Sequence, residues 1–260
     1  MYPYDIIPGF DIYALCYTAA LISALLILRL LGDKLGMEAK VYNLAVGSAV
    51  AAIVCGYLTS ILAQSFYDYL ETGTFRLGTG MTFYGGLLGG IIVFVLVYFI
   101  VGTRVFKEDR LHIRRVPMLE NIAACCVTFA HATGRIGCLF AGCCHGNKTD
   151  AWYGIYHVNL GYRAVPTQLF EAIFLYALFV WLTYRVLHGH RDGHIIYLIA
   201  YGFWRFWIEF LRGDDRGASF IPGVTPSQLS ALFFVTAGIV IYIVEKNMKR
   251  RLRDETASEG

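Results

Sequence analysis

The chain alternates between long apolar stretches and short polar segments. A helix needs about 20 apolar residues to cross a bilayer core about 30 Å thick, and seven stretches are close to that length. They are roughly 11–31, 42–63, 84–102, 118–133, 166–187, 194–212 and 226–244. The fourth carries Glu120, Asn121 and His131, and this polarity favours a partly re-entrant segment. The pattern predicts an all-α, polytopic membrane protein, a bundle of about seven transmembrane helices.

The composition agrees with this interpretation. Of the 260 residues, 57% are hydrophobic and 16% are charged, whereas about 25% are charged in an ordinary soluble domain. Residues 1–260 are interpreted as a single integral membrane domain, because no low-complexity segment divides them. From about residue 245 the sequence is basic and then polar, which is typical of a flexible cytoplasmic tail.

Basic residues indicate the orientation, since cytoplasmic loops of membrane proteins carry the excess of Lys and Arg. If the N-terminus lies outside, most of the 22 basic residues fall in inner segments. We therefore predict an N-out, C-in topology, which requires an odd number of spans. The net charge of +3 indicates only attraction to anionic membrane lipids. Nothing in the sequence points to nucleic acid or to a cofactor.

The sixth stretch, "YGFWRFWIEFLR", places charges at membrane depth. An ionisable group there is costly unless it is paired or faces a polar cavity. Arg205 and Glu209 are four residues apart and can pair on one helical face. One interpretation is a salt bridge that only fixes helix packing. The other is a cluster of positive charge, with Arg212, that suits a phosphate.

Two further segments leave alternatives open. Gly85 and Gly86, in "TGMTFYGGLLGG", either allow close helix packing or keep backbone N–H groups free for an anion at a helix N-terminus. In the loop "GRIGCLFAGCCHG", Cys138, Cys143, Cys144 and His145 are possible metal ligands. Cys143, Cys144 and His145 are consecutive, which fits the tetrahedral coordination of a single metal ion poorly, so we expect no metal site. A disulfide between Cys138 and Cys143 or Cys144 is an alternative.

The order of four motifs carries a resemblance to a known family. The motifs are "YGG", "GRIGCLFAGCCHG", "PTQLFE" and "YGFWRFWIEFLR". Together they resemble the prolipoprotein diacylglyceryl transferases of bacterial membranes. The resemblance implies a multi-pass protein of the bacterial cytoplasmic (inner) membrane. It implies transfer of a diacylglyceryl group from phosphatidylglycerol to the lipobox cysteine of a prolipoprotein signal peptide, forming a thioether and releasing glycerol 1-phosphate.

The resemblance also implies site residues. Arg135 and Arg205 match the family's arginines and would hold the phosphate, because guanidinium groups bind phosphate bidentately. Glu209 matches the acidic partner of Arg205. The remaining substrate-binding positions are Gly85, Gly86, Gly134, Gly137, Cys138, Cys143, Gly146, Gln168, Glu171, Tyr201 and Arg212.

The proton acceptor is less clear from the sequence. Tyr84 stands where the family usually has histidine, and Cys138 and Cys143 replace an asparagine and an acidic residue. Tyr84, His145 and His131 are the candidates, and histidine titrates near neutral pH. Two other hypotheses stay open at this point. One is a divergent paralogue that moves a phospholipid-derived group to another acceptor, and the other is a non-catalytic lipid- or metal-binding membrane protein.

Overall fold

The computed structural model describes residues 5–7, 10–77, 82–158, 160–214 and 221–258. These residues are mainly helical, with two short antiparallel hairpins, β1 with β2 and β3 with β4. The elements in chain order are β1 Asp5–Ile7, β2 Phe10–Asp11, α1 Ile12–Lys34, α2 Ala39–Thr72, α3 Phe83–Val105, α4 Leu111–Arg114, α5 Val116–Ala141, β3 Ile155–His157, β4 Tyr162–Ala164, α6 Thr167–Leu187, α7 Gly193–Ile208, a 3₁₀ turn Glu209–Leu211 and α8 Pro226–Ser258. A helix lies on every predicted apolar stretch.

Six of the described helices are long and apolar enough to cross a membrane, namely α1, α2, α3, α5, α6 and α8. Large apolar side chains such as Leu30, Val180 and Phe233 are more than half exposed on them, as expected of surfaces that face lipid. The polytopic membrane fold is therefore confirmed. Helix α7 has 16 residues and includes Arg205, so the seventh crossing remains a prediction, as does the N-out orientation.

The fourth stretch differs from the expectation of a partly re-entrant segment. It is one continuous helix of 26 residues, α5, because its polar groups have partners on α7. The side chain of Asn121 accepts a hydrogen bond from the N–H of Gly193, at 2.6 Å. His131 lies 3.3 Å from the hydroxyl of Tyr197. Polar residues in a membrane helix are tolerated when they are satisfied in this way.

Two helices also extend further than the apolar pattern indicates. Helix α5 continues to Ala141, so the first part of the motif "GRIGCLFAGCCHG" is helical and the loop begins at Gly142. Helix α8 continues to Ser258, so the segment predicted as a flexible tail is helical over its described residues. The ion pair between Glu245 and Lys249, at 3.3 Å, adds the support that such i, i+4 pairs give a helix.

The chain divides into two compact units, one of residues 1–31 and 118–260 and the other of residues 32–117. The first unit contains nearly all of α1 and the later elements from α5 to α8. The second contains α2, α3 and α4. Within the second, α2 and α3 approach closely, because a Cβ built on Gly56 would lie 2.9 Å from the carbonyl oxygen of Gly86. Small residues permit such close helix contacts.

Candidate functional site

A buried carboxylate lies at the centre of the first unit. Glu171, in the second turn of α6, has no solvent exposure. Its Oε2 atom lies 3.1 Å from Nε of Arg135 on α5. A buried ion is stable only when its charge is compensated, and Arg135 supplies that charge. Two positions separated by 36 residues, both predicted for the site, are therefore brought into direct contact.

Aromatic hydroxyls and a histidine complete the surroundings of Glu171. Tyr201, on α7, donates a hydrogen bond of 2.9 Å to its Oε1 atom. His131, one turn before Arg135 on α5, lies 3.4 Å from the same hydroxyl and 3.9 Å from Oε1 of Glu171. The charge of Arg205 also acts on Glu171. The result is a connected polar network that joins α5, α6 and α7.

A second charged group forms where α7 ends. Arg205 donates to Glu209 at 2.7 Å, so the predicted i, i+4 pair is present. The chain then tightens into the 3₁₀ turn, and Nε of Arg212 lies 3.9 Å from the same carboxylate. Arg212 also makes two hydrogen bonds of 2.9 Å to Asp214, which is the fork geometry that guanidinium groups prefer with carboxylates.

These two arginines keep unused donors. The Nη1 atoms of Arg205 and Arg212 are buried, and neither has a hydrogen-bond partner among the residues that the structure describes. Buried guanidinium N–H groups without an acceptor are costly, so they indicate a position for an anion. The three arginines face three carboxylates, those of Glu171, Glu209 and Asp214. The charges are thus balanced, and what a bound phosphate would add is hydrogen-bond acceptors for the two Nη1 atoms.

The loop after α5 is fixed against two other motifs. Gln168 and Thr167, at the start of α6, donate side-chain hydrogen bonds to the carbonyl oxygens of Cys143 and Cys144. The N–H of Gly146 donates to the carbonyl of Val165 at 2.8 Å. Gly146 also forms an antiparallel β-bridge with Arg212. The loop, the "PTQLFE" motif and the end of the "YGFWRFWIEFLR" motif are therefore one structural element.

The glycines of this motif have different surroundings. A Cβ on Gly146 would lie 2.6 Å from the carbonyl oxygen of Leu211 and 2.7 Å from Val165, so Gly146 lets two segments of the protein's own chain approach each other closely. Gly137 faces α1, with Cys16 Cβ at 3.1 Å. A Cβ on Gly134 would meet no atom of the described chain within 4 Å. Gly134 therefore borders open space among the described residues.

Three cysteines gather at the same loop. The Sγ atoms of Cys138, Cys143 and Cys144 all lie within 4.8 Å of one another, and all three are free thiols. Hydrogen bonds from Cys138 and Cys143, together with the charges of Arg212 and Arg135, lower the pKa of the Cys144 thiol. The cysteines thus share one electrostatic environment with the arginines of the site.

Tyr84, Gly85, Gly86 and His145 are the remaining predicted residues. Tyr84 is in the first turn of α3 and its side chain is outside the described residues. Gly85 and Gly86 belong to the second unit, and Gly86 N–H donates to Thr82 within the helix. A Cβ on Gly85 would lie 2.6 Å from Ala63 on α2, which is a packing contact. The predicted base candidate His145 is buried, and its ring contacts that of His157 at 5.2 Å.

One residue of the site has no counterpart among the sequence predictions. Thr225 donates a hydrogen bond of 2.8 Å to Glu209. It also caps α8, since its hydroxyl accepts from the N–H of Gln228 and its own N–H donates to the Gln228 side chain. This is a capping box. The spacing of Thr225, Pro226 and Gln228 is the signal that identifies Thr225 as the cap.

Known proteins match the chain over most of its length. The family model described as prolipoprotein diacylglyceryl transferase matches residues 6–244. A protein of Clostridium tetani named phosphatidylglycerol–prolipoprotein diacylglyceryl transferase is 28% identical over 248 residues, which are 92% of this chain and 94% of that protein. A protein of the same name from Clostridioides difficile is 27% identical over 256 residues, 95% of this chain and 96% of that protein. The chain therefore belongs to the prolipoprotein diacylglyceryl transferase family.

Proposed function

We propose that this protein transfers the diacylglyceryl group of phosphatidylglycerol to the lipobox cysteine of a prolipoprotein signal peptide. The thiol gives its proton to a base, because the thiolate is the nucleophile. The sulfur then attacks the carbon of the diacylglyceryl group that is bonded to the phosphate oxygen. A C–S bond forms, the C–O bond to the phosphate breaks, and glycerol 1-phosphate leaves with the bonding electrons.

The observation that carries the proposal is the pair of buried Nη1 donors on Arg205 and Arg212. Charge accumulates on the phosphate oxygens as the C–O bond breaks. Donors already aimed at the leaving group stabilise that charge most effectively in a site from which water is excluded. Arg135, held by Glu171, would contribute a third positive charge. Gly134, which borders open space, would let the lipid approach this charge without a side chain in the way.

The proton acceptor is proposed from the same geometry. His131 contacts Tyr201 and Glu171 next to Arg135, whereas the Nδ1 atom of His145 lies 3.0 Å from the carbonyl oxygen of Gly146 and its ring packs on His157. We therefore place His131 ahead of His145 as the base. Tyr84 remains a candidate from its position in the family motif.

The proposal also includes the membrane that holds the protein and the side of that membrane on which the site lies. The site residues lie at the end of α5, the start of α6, the end of α7 and the start of α8. In successive antiparallel spans these four ends lie on the same side of the membrane. In the N-out, C-in topology that side faces outward from the bacterial cytoplasmic (inner) membrane. Both substrates, phosphatidylglycerol and the membrane-bound prolipoprotein, would then enter from the lipid. A paralogue with another acceptor is less favoured, because the family model covers nearly the whole chain.

Mass spectrometry of a synthetic lipobox peptide tests the proposal. The peptide is incubated with the purified protein in phosphatidylglycerol micelles under reducing conditions. We expect the mass gain of one diacylglyceryl group and release of glycerol 1-phosphate. Arg205→Ala and Arg135→Ala should each reduce the rate by about 100-fold or more, the range for loss of one transition-state donor.

Arg185→Ala is the matched control. Arg185 also forms an ion pair, with Asp192 at 2.6 Å, but both side chains are partly exposed at the other end of α6. Its rate should stay within a few-fold of the unaltered protein. Equal losses in all three variants, or no mass gain with the folded unaltered protein, would contradict the proposal.

A further inference from the structure

No chemical step of the proposed transfer uses the three clustered cysteines, although Cys138 and Cys143 occupy positions that the family resemblance assigns to substrate binding. Cys138 lies in the last turn of α5, and Cys143 and Cys144 follow the loop glycine Gly142. Their sulfurs converge, with every Sγ within 4.8 Å of the other two. Of the cysteines elsewhere in the chain, Cys16, Cys55, Cys125 and Cys126 lie inside helices. Three thiols in one place are therefore a specific feature of this loop.

The fold imposes this convergence through the backbone. Gly142 and Cys144 both have left-handed backbone conformations, with φ of 75° and 63°, which turn the loop back over the end of α5. The side chains of Gln168 and Thr167 hold the carbonyls on either side of this turn. The Cys143 thiol adds a hydrogen bond of 3.7 Å to the carbonyl oxygen of Cys138, so the protein's own contacts bring the thiols together before any ligand binds.

The geometry fits a metal ion with soft ligands. Zn²⁺ binds thiolate at about 2.3 Å in a tetrahedral arrangement, which places sulfurs about 3.8 Å apart. The three sulfurs reach this separation by moving about 1 Å or less. Thiolates favour ions such as Zn²⁺ over Mg²⁺ and Ca²⁺. From the sequence alone we expect no metal, because Cys143, Cys144 and His145 are consecutive. His145 is not among the converging ligands, and the neighbouring Cys143 and Cys144 both bring their Sγ atoms within 4.8 Å of that of Cys138.

We propose that Cys138, Cys143 and Cys144 form a trithiolate site for one thiophilic metal ion of the Zn²⁺ type, with the fourth position taken by water. Binding releases the thiol protons to solvent and changes no oxidation state. Three thiolates and one divalent ion carry one net negative charge. Arg135 lies one turn before Cys138, and Arg212 is bridged to Gly146, so positive charge is close by. The ion would tie the end of α5 to the loop and brace both arginines.

Metal binding to the full-length reduced protein tests this proposal, independently of any transferase assay. The protein in detergent micelles is equilibrated with Zn²⁺, desalted, and its zinc measured by elemental analysis. We expect one zinc per chain, and intense sulfur-to-cobalt absorption when Co²⁺ replaces Zn²⁺. Cys138→Ser and Cys143→Ser should lose both signals, whereas Cys55→Ser, which removes a thiol outside the cluster, should keep them. Zinc in the unaltered protein no higher than in Cys138→Ser would overturn the proposal.

A second measurement uses only the unaltered chain and so does not depend on how the variants fold. Zn²⁺ should slow alkylation of Cys138, Cys143 and Cys144 by at least about 10-fold, as metal coordination removes the free thiolate, and leave alkylation of Cys55 unchanged. Equal alkylation with and without Zn²⁺ would refute the site. So would a disulfide among the three cysteines in protein whose thiols were blocked before isolation. Failure of the lipobox assay, by contrast, would leave both the zinc content and the alkylation rates unaffected.

Discussion

The two compact units differ in the charged side chains that they bury: Glu171, Arg205, Glu209 and Arg212 are buried and all belong to the first unit. The first buries charges, and each is held by an opposite charge, as Arg135 is by Glu171 and Arg205 by Glu209. The second fully buries His112, whose ring nitrogens have no hydrogen-bond partner among the described residues. That ring stacks on Phe106 with centroids 5.6 Å apart. In the first unit the buried charges are balanced, and among the described residues of the second unit the buried polar side chains are uncharged serines and His112.

The difference indicates which unit is built for chemistry. Replacing a buried ion pair by apolar residues is often neutral or stabilising, so such pairs are poor devices for stability alone. In the first unit they fix Arg205 and Arg212, whose Nη1 atoms have no acceptor within the described part of the chain. In the second unit the contact between α2 and α3 depends on Gly56, Gly86 and Gly90, which lie against each other's backbone. Its stability should depend on side-chain volume and little on charge.

The largest effect is expected from Glu171→Gln. The amide preserves the shape of the side chain but leaves Arg135 as an uncompensated buried charge. Breaking a buried pair in this way costs about 3–5 kcal/mol. We expect a large fall in the thermal unfolding midpoint in lipid micelles, together with loss of transferase activity.

The control for Glu171→Gln is Asp192→Asn, which removes the carboxylate of a partly exposed pair at the other end of α6. Exposed pairs contribute about 0–1 kcal/mol, so its midpoint should change little. If both variants unfold at the same temperature, the charges of the first unit do not depend on pairing, and the contrast between the units fails.

Sequence reasoning predicts the helices well because the membrane requires long apolar segments. It also predicts the pair of Arg205 and Glu209, since four residues on a helix place two side chains on one face. The contact of Arg135 with Glu171 is different. It joins two helices, and no local periodicity encodes it. Both residues entered the site only through the resemblance to a family, and their mutual contact came from the structure.

The errors have physical causes too. The motif "GRIGCLFAGCCHG" suggests a loop because of its glycines, yet Gly137 is helical and lets α1 approach, with Cys16 at 3.1 Å. Polar residues in the fourth stretch suggested a re-entrant segment, although Asn121 and His131 have partners on α7. In both cases the sequence shows a residue that is unfavourable in a membrane helix. A residue distant in sequence contacts it, and this contact removes the free-energy cost.

The second unit should respond to volume, and Gly56→Ala tests this. The new methyl group would lie 2.9 Å from the carbonyl oxygen of Gly86 and 3.4 Å from Gly90 Cα, so α2 and α3 must separate. Overpacking costs about 1–3 kcal/mol, and the better helix propensity of alanine returns up to about 1 kcal/mol. We expect a net loss of about 1–2 kcal/mol, measured by thermal unfolding.

Gly47→Ala is the control on the same helix, because a Cβ there meets no atom of the described chain within 4 Å. It should be neutral or slightly stabilising, since only the propensity gain remains. Equal destabilisation by the two substitutions would show that flexibility of α2, and not its contact with α3, requires the glycines.

The neutral interior of the second unit also predicts a pH dependence. Burial lowers the pKa of His112, the charge of Asp109 opposes this, and that of Arg110 adds to it. Below about pH 6.5 the unfolded chain binds a proton that the folded chain does not. The contribution of the uncharged ring to the free energy of unfolding is therefore complete above that pH. It decreases as the pH drops toward the lowered pKa, by at most about 1.4 kcal/mol per pH unit for one proton.

His112→Phe checks this dependence, because it keeps an aromatic ring but cannot titrate. Unfolding midpoints measured between pH 7.5 and about 5 should fall less steeply for the variant than for the unaltered protein. Identical slopes would mean that the protonated ring is accommodated, and the second unit would then tolerate a buried charge as the first does.

The smallest effect is expected at the one charged contact described here within the second unit, where Arg115 donates to both carboxylate oxygens of Glu38. The arginine lowers the pKa of Glu38, so the pair stabilises above about pH 4.3 and its contribution is lost as the pH falls through the lowered value. Both side chains are about one-third exposed, and water screens them, so Glu38→Gln should cost only about 0.5 kcal/mol at pH 7 and less as the pH falls through the lowered pKa of Glu38. A loss at pH 7 as large as that of Glu171→Gln would show that paired charge supports both units alike. A small loss that vanishes in acid would confirm that only the first unit depends on it.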